Sequence, residues 1–529
     1  MAKVVLGLGP WALGLLLVLP ASAQSVTYHV TIPAPEHHWL QVEATFPNLG
    51  TAPLHAFMSR SSPGRYAVHE FAKNVFSLEA FNGKGQRLKT TRPSPYQWNV
   101  AGHDGTVRLV YRVFGDLVDG TYLAVDTTHA HMNMPATFMF DLDHQDRPMR
   151  VTFAQPPGGS WKVATQLFPT ADPLTFTAPN LQYFMDSPTE FGPVLFSSFS
   201  VPNGAGREAK FRVAVHADAS QADVDELATL VQRLVVEQRA VYGEFPEYEP
   251  GQYTFLLDYW PSNGGDGMEH RNSTVITSGA NAPLKTPQGR QNALSTISHE
   301  FFHNWNVERI RPAGIEPFDF TRANVTCCLW VAEGFTQYYG PLLMTRAGFG
   351  RGGVPINPAA VINGSGRTVR SAVEMSEFAP FSDAARSVDP SDQSRSFISY
   401  YTYGGVLALG LDLSLRNISN GAKSLDDFMR AMWLRYGKPA APKPGVVATP
   451  YTLANLRAML TEVSGNAAFA NQFFDQYVEG RELPDYPRLL ALAGFALRPS
   501  NPLAAWTGAA AQTAPDGITV GGEIGRAHV

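Results

Sequence analysis

Cysteine is almost absent from this chain: two in 529 residues, Cys327 and Cys328, side by side. Neighbouring residues can close only a strained ring and no spaced partner exists, so a disulfide framework is excluded. The pair reads as packed thiols. Charge is also sparse, at 16% of residues against 44% hydrophobic. That balance excludes a disordered chain and implies globular domains with ample core, about three or four at this length. The formal charge is only −5 and no basic block occurs, so nucleic acid is not an expected partner. Beyond the first two dozen residues no apolar run is long enough to span a bilayer, and a membrane span is not expected in the mature chain.

Those first residues are the exception. The stretch MAKVVLGLGPWALGLLLVLPASAQ carries one charge, Lys3, then an apolar core, and ends in Ala21-Ser22-Ala23. This small-x-small ending is what a signal peptidase accepts. Residues 1–23 therefore read as a leader cleaved after Ala23, and the mature protein as exported and periplasmic.

Residues 24–202 read as a β-domain, a sandwich of short alternating strands such as Val26–Thr31 and Thr106–Val113 between turn signals. Its histidines, His29, His37, His38, His129 and His131, read as surface or turn residues. From 203 to 345 strands and helices mix. Phe211–His216 and Tyr253–Leu257 read as strands, and Val275 and Ile276 sit on a further one. Ser220–Tyr242 has apolar residues at helical spacing behind a capping box of Ser220 and Asp223. A largely helical part follows over 346–487, with a Gly/Ser/Pro-rich surface loop near 345–395 and a proline-rich loop over 438–445. A small β segment begins near 488, with Gly494–Leu497 and Gly517–Val520 strand-like. The final residues 523–529 fit no closing element, read as an artefactual end, and are set aside.

Chemistry concentrates in Ser298-His299-Glu300-Phe301-Phe302-His303-Asn304-Trp305-Asn306, on a helix predicted over about 292–306. It contains H-E-x-x-H. Residues i and i+4 lie one above the other on a helix, so both imidazoles reach one metal ion, with Glu300 beside the first ligand to handle a water proton. A catalytic zinc takes three protein ligands and keeps one position for water. No histidine lies between His303 and the discarded end, so the third ligand must be a carboxylate: Glu308, Glu316, Asp319 or Glu333. Glu308 falls about 140° off the ligand face at helical pitch. Glu333 lies in an apolar helix face, Leu329-Trp330-Val331-Ala332-Glu333-Gly334-Phe335, where an unpaired carboxylate is costly and a metal offsets the cost. It is the preferred ligand. Such a site would use Glu300 as general base for water attack on a carbonyl, with a tyrosine hydroxyl among Tyr400, Tyr401 and Tyr403 to stabilise the oxyanion.

On these residues the chain resembles the gluzincin metallopeptidases, and most closely the glycyl aminopeptidase family. The likeness rests on His299-Glu300-x-x-His303-Asn-Trp-Asn, on Leu329-Trp330-Val-Ala-Glu333-Gly334-Phe335-Thr336, and on Gly267-Met268-Glu269-His270-Arg271-Asn272-Ser273. It continues into the β-domain through Ser62-Pro63-Gly64-Arg65-Tyr66 and Phe71-Ala72-Lys73-Asn74-Val75. The resemblance implies a multidomain α+β fold: an N-terminal β-sandwich, a thermolysin-like peptidase domain with a helical C-terminal lobe, and a truncated PDZ-like segment over 488–529. It implies one Zn2+ held by His299, His303 and Glu333, with Glu300 as base and Tyr401 as the transition-state tyrosine. The motif Gly267-Met268-Glu269 would bind substrate, Glu269 holding the free α-ammonium of a peptide, and His270 would hydrogen-bond nearby. The implied activity is removal of small N-terminal residues, Gly or Ala, from peptides. A zinc endopeptidase and a non-catalytic peptide-binding protein are the competing readings, and oligomeric state is left open.

Overall fold

The N-terminal half is built from strands whose burial alternates residue by residue. In Trp39–Phe46, Leu40, Val42, Ala44 and Phe46 are buried while the residues between them are not, the period-two pattern of a sheet with one face on a core. The computed structural model describes residues 25–204, 206–279, 283–350, 352–383, 393–499, 510–514 and 517–521. The expected leader and the discarded end lie outside them. The chain divides into two compact units, Met1–Pro484 and Asp485–Val529.

The β-rich domain of the first unit has three sheets rather than a plain two-sheet sandwich: one of eight strands and two of four. One large apolar core unites them, with Tyr28, Phe138 and Phe184 in aromatic contact at its centre. Two of its histidines depart from the surface reading. His129 and His131 are buried, at 1% and 4% exposure, whereas His29 and His37 are exposed.

A five-stranded sheet follows in the order Leu195–Pro202, Glu208–Ala217, Tyr253–Tyr259, Ser273–Ser278, Asp266–His270. Leu195–Pro202 was expected in the preceding β-domain, but it pairs along its whole length with Glu208–Ala217. Tyr253–Tyr259 is buried at every position between two parallel neighbours, as in a strand covered on both faces. Gln221–Tyr242 packs on this sheet as a helix with the capping box of Ser220 and Asp223 in place. Its apolar stripe of Val224, Leu227, Val231, Leu234 and Val235 is buried, each side chain contributing about 1.5–3 kcal/mol.

The helix carrying H-E-x-x-H runs Pro287–Phe302, opened by Thr286 as N-cap with Pro287 in the first turn. It starts about five residues before the expected boundary because the Thr-Pro cap outranks the apolar periodicity, and His303 is its C-cap. The Gly/Ser/Pro-rich region is not all loop: Ala372–Glu377 is a helix with a Ser371–Glu374 capping box, and Ala372 and Met375 are buried. In the second unit Gly517–Gly521 forms a hairpin with Ala510–Ala514. Gly494–Leu497 is not a strand, and a helix, Tyr486–Leu492, precedes it.

Candidate metal centre

His299 and His303 emerge from the same face of the Pro287–Phe302 helix end, with their Nε2 atoms 3.2 Å apart. The third group comes from a bend between two helices, Leu329–Ala332 and Gly334–Arg346, where Glu333 is the shared cap. Glu333 Oε2 lies 3.2 Å from His303 Nε2 and 3.7 Å from His299 Nε2. The other candidate carboxylates are used elsewhere: Glu308 and Glu316 pair with Arg311, and Asp319 with Arg322 and Thr321.

The positions of these groups are set by their partners. His303 Nδ1 donates to the Asn306 carbonyl at 2.7 Å, which leaves Nε2 as the free lone pair. The Asn306 amide donates to the carbonyls of Val331 and Ala332 at 2.9 and 3.1 Å, so one side chain ties the two ligand-bearing elements together. Tyr66 reaches in from the β-rich domain and donates to Glu333 Oε1 at 2.6 Å. The remaining oxygen, Oε2, is buried with no hydrogen-bond partner. An orphan carboxylate oxygen costs several kcal/mol in such surroundings unless a cation meets it. Two imidazoles and a carboxylate converging on one point fit zinc.

Burial alone would raise the Glu333 carboxyl, but the imidazoles of His303 and His299 hold it well below the usual carboxylate range. Glu300 goes the other way. Burial pushes it well above that range, with Glu269, Glu333 and Asp266 adding repulsion, and its Oε2 has no partner. A buried carboxyl poised for protons is the property a general base requires.

Strand alternation sorts the Gly267-Met268-Glu269 motif. Gly267 and Glu269 face the metal-centre helix, while Asp266 and Met268 face the β-rich domain. A Cβ on Gly267 would stand 2.7 Å from Glu300 Cδ and 2.9 Å from its Cγ, so glycine there makes room for Glu300. Glu269 offers an oxygen within 4.8 Å of ligand atoms on Glu300 and His303, and burial pushes its pKa up to about 7. Met268, expected to contact substrate, is fully buried, and its side chain packs beneath Gly64 and Gly120. It supports the strand rather than lining the cleft. His270 Nδ1 donates to the Asp186 carboxylate at 2.8 Å, and the residue stands outside the ligand group.

The three tyrosines separate by position. The helix Tyr400–Ile418 crosses the Glu333 bend where Gly334 meets Gly404: a Cβ on Gly334 would stand 2.6 Å from the Gly404 carbonyl carbon. This close approach brings Tyr401 against His299, rings stacked with centroids 5.9 Å apart. Tyr400 packs edge-on to Tyr66 in a small apolar cluster. Tyr403 is fully buried and its hydroxyl has no partner. Only Tyr401 among them lines the cleft, a space of about 340 Å³ bounded also by Gly64, Glu269, His299, Glu300 and Glu333. The motif Gly64-Arg65-Tyr66 gives no separate role to its residues by sequence alone. The structure gives them work, since Arg65 pairs with Asp266 and Gly64 packs on Met268 and Glu269. Both cysteines are free thiols, and Cys328 is buried.

Comparison with known proteins agrees with this geometry. The profile of the peptidase M61 N-terminal domain matches residues 27–193, and that of the M61 glycyl aminopeptidase matches residues 292–407. No curated protein matches the chain. Among solved structures, an aminopeptidase N family protein from Idiomarina loihiensis is similar at 21% identity and a TM-score of 0.75, covering 94% of this chain and 85% of its own. An M1 zinc metallopeptidase from Deinococcus radiodurans is similar at 19% identity and a TM-score of 0.47, covering 88% and 95%.

Proposed function

Because the chain belongs to the M61 glycyl aminopeptidase family, we propose that this peptidase is a zinc aminopeptidase that removes small residues from the free N-terminus of peptides. The observation that carries the reading is the meeting of two carboxylates with different tasks at one ligand set. Glu300 and Glu269 both come within 4.8 Å of His303, one from the metal-centre helix and one from the sheet edge.

His299, His303 and Glu333 would hold the zinc, which when bound supplies Lewis acidity towards the scissile carbonyl and lowers the pKa of water. Glu300 takes the proton of the attacking water and later delivers it to the leaving amine. The Tyr401 hydroxyl, beside His299, donates to the oxygen that gains charge. Glu269 pairs with the α-ammonium of the substrate. That pairing restores charge to a buried carboxyl that is otherwise pushed up to about 7, and it fixes the cut at the first peptide bond. The loop at Gly64 packs so closely on Glu269 that a Cβ there would stand 3.0 Å from Glu269 Oε2, which favours a narrow first subsite and small side chains such as Gly or Ala. Among the described residues no helix is long and apolar enough to cross a membrane. Export to the periplasm rests on the leader sequence alone.

The test is hydrolysis of glycyl and alanyl chromogenic amides beside their N-acetylated forms, before and after dialysis against a chelator. Fast cleavage of the free amides with only slow residual cleavage of the acetylated forms, both lost with chelation and restored by zinc, is expected. Equal cleavage of acetylated peptides would turn the reading to an endopeptidase.

A further inference from the structure

A second group of buried imidazoles and carboxylates lies where the β-rich domain meets the five-stranded sheet, and the peptidase chemistry uses none of it. His129 precedes the strand Ala130–Met132, which pairs with Thr189–Gly192 so that His131 faces Glu190. Opposite them, His216 and Asp258 are register partners on adjacent parallel strands. His129, Glu190, His216 and Asp258 are all at most 4% exposed, and each offers an atom within 4.8 Å of the others.

Asp258 sits between two rings, with Oδ2 2.9 Å from His129 Nε2 and Oδ1 2.9 Å from His216 Nδ1. The two rings stack with centroids 4.0 Å apart. Glu190 Oε1 lies 3.8 Å from His129 Nε2 and, though buried, has no hydrogen-bond partner. Behind this shell, His129 Nδ1 is 3.2 Å from Asp126 Oδ1. His131 orients Glu190 through its other oxygen at 3.0 Å, and its second nitrogen is 2.8 Å from the Asp119 carbonyl.

We propose that His129, His216, Glu190 and Asp258 form a second metal site, for a divalent cation of the zinc class, that pins the β-rich domain to the catalytic sheet. Three arguments support it over a plain hydrogen-bonded network. Ligand bonds of about 2.0–2.1 Å in a tetrahedron separate the ligand atoms by about 3.4 Å. The separations of 2.9 and 3.8 Å here bracket that value, much as 3.2 and 3.7 Å do at the peptidase centre. Second, Glu190 Oε1 is buried without a hydrogen-bond partner, and a cation would offset the cost of that orphan oxygen. Third, a carboxylate behind a ligating histidine, as Asp126 stands behind His129, is the usual support of a metal-bound imidazole. A closed four-ligand shell leaves no position for water, so the site is structural rather than catalytic.

The register extends the consequence. Asp258 faces Thr277, and Thr277 faces Asp266, the partner of Arg65. The cation would therefore anchor the same domain that sends Arg65 to the cleft and Tyr66 to Glu333.

The experiment is metal analysis of the full chain reconstituted with zinc and desalted, for the wild type, Asp258→Asn, Glu190→Gln, and Glu333→Gln. Two equivalents are expected in the wild type and one in each variant, with Asp258→Asn and Glu190→Gln still cleaving the chromogenic amide. Anomalous diffraction at the zinc edge from wild-type crystals gives an answer independent of variant folding, with a peak expected between His129 and His216. One equivalent in the wild type and no such peak would overturn the proposal, even with the peptidase centre fully loaded.

Discussion

The two buried clusters of imidazole and carboxylate are built on opposite plans. At the candidate peptidase centre, two imidazoles sit one turn apart on a single helix, and a carboxylate arrives 30 residues on. Three groups converge and leave a side open to the cleft of about 340 Å³. Between the β-rich domain and the sheet, four groups arrive on four separate strands or strand ends, and their neighbours Asp126 and His131 close the shell. An open set of three permits water and substrate to enter, whereas a closed set of four can only hold things together. Chemical similarity of residue types therefore says less than how many positions are left free.

Changes at the open site should separate chemistry from metal binding most sharply. Glu300→Gln is expected to lower kcat about 10³-fold, the scale of lost general-base catalysis, while zinc content stays at the wild-type value. Metal analysis beside kinetics checks it. Retained turnover with full metal would remove Glu300 from the base role and make the two clusters functionally alike.

Glu269→Ala comes next. Losing one partner of a buried charge pair costs about 2–5 kcal/mol, so kcat/KM on free-amine substrates should fall about 30- to 5000-fold. The slow residual cleavage of N-acetylated analogues should not change. A parallel fall on both substrates would mean that Glu269 only shapes the cleft.

The open site was legible in the sequence because a helix writes its face at a spacing of four residues. His299, His303 and Glu300 needed no tertiary information, and Glu333 followed from an apolar context in which a carboxylate has to be explained. Composition left Tyr401 one of three and the resemblance alone singled it out, since the physical ground for choosing is where Gly334 meets Gly404. Met268 looked like a site residue by adjacency, but strand alternation turns it away. The closed cluster was illegible. His129 and His216 are 87 residues apart on different domains, and only strand register makes neighbours of His216 and Asp258. The β histidines read as surface residues because a short strand beside turn signals does not reveal that its second face is covered by another sheet.

Tyr401→Phe should lower kcat about 10²-fold, the cost of one oxyanion donor, with KM little changed. Tyr400→Phe and Tyr403→Phe should stay near wild type in kcat, because neither lines the cleft. Steady-state kinetics on the glycyl amide decides among them. A larger effect at Tyr400 would place the donor on the Tyr66 side of Glu333.

The smallest expected effect belongs to Asn306, which touches no substrate. Its carbonyl accepts from His303 Nδ1 and its side-chain amide spans to Val331 and Ala332. Asn306→Ala keeps the backbone carbonyl but frees the Glu333 bend from the helix end, so His303 and Glu333 should lose their fixed separation. Outer partners of this kind are worth about 10- to 100-fold in metal affinity. Competition with a chromogenic chelator should show zinc leaving the peptidase centre more readily by that factor, with kcat recovering at saturating zinc. Metal held by His129 and His216 should leave at the wild-type rate, since nothing in that shell reaches Asn306. Loss from both at once would mean that the two clusters share one cooperative unit.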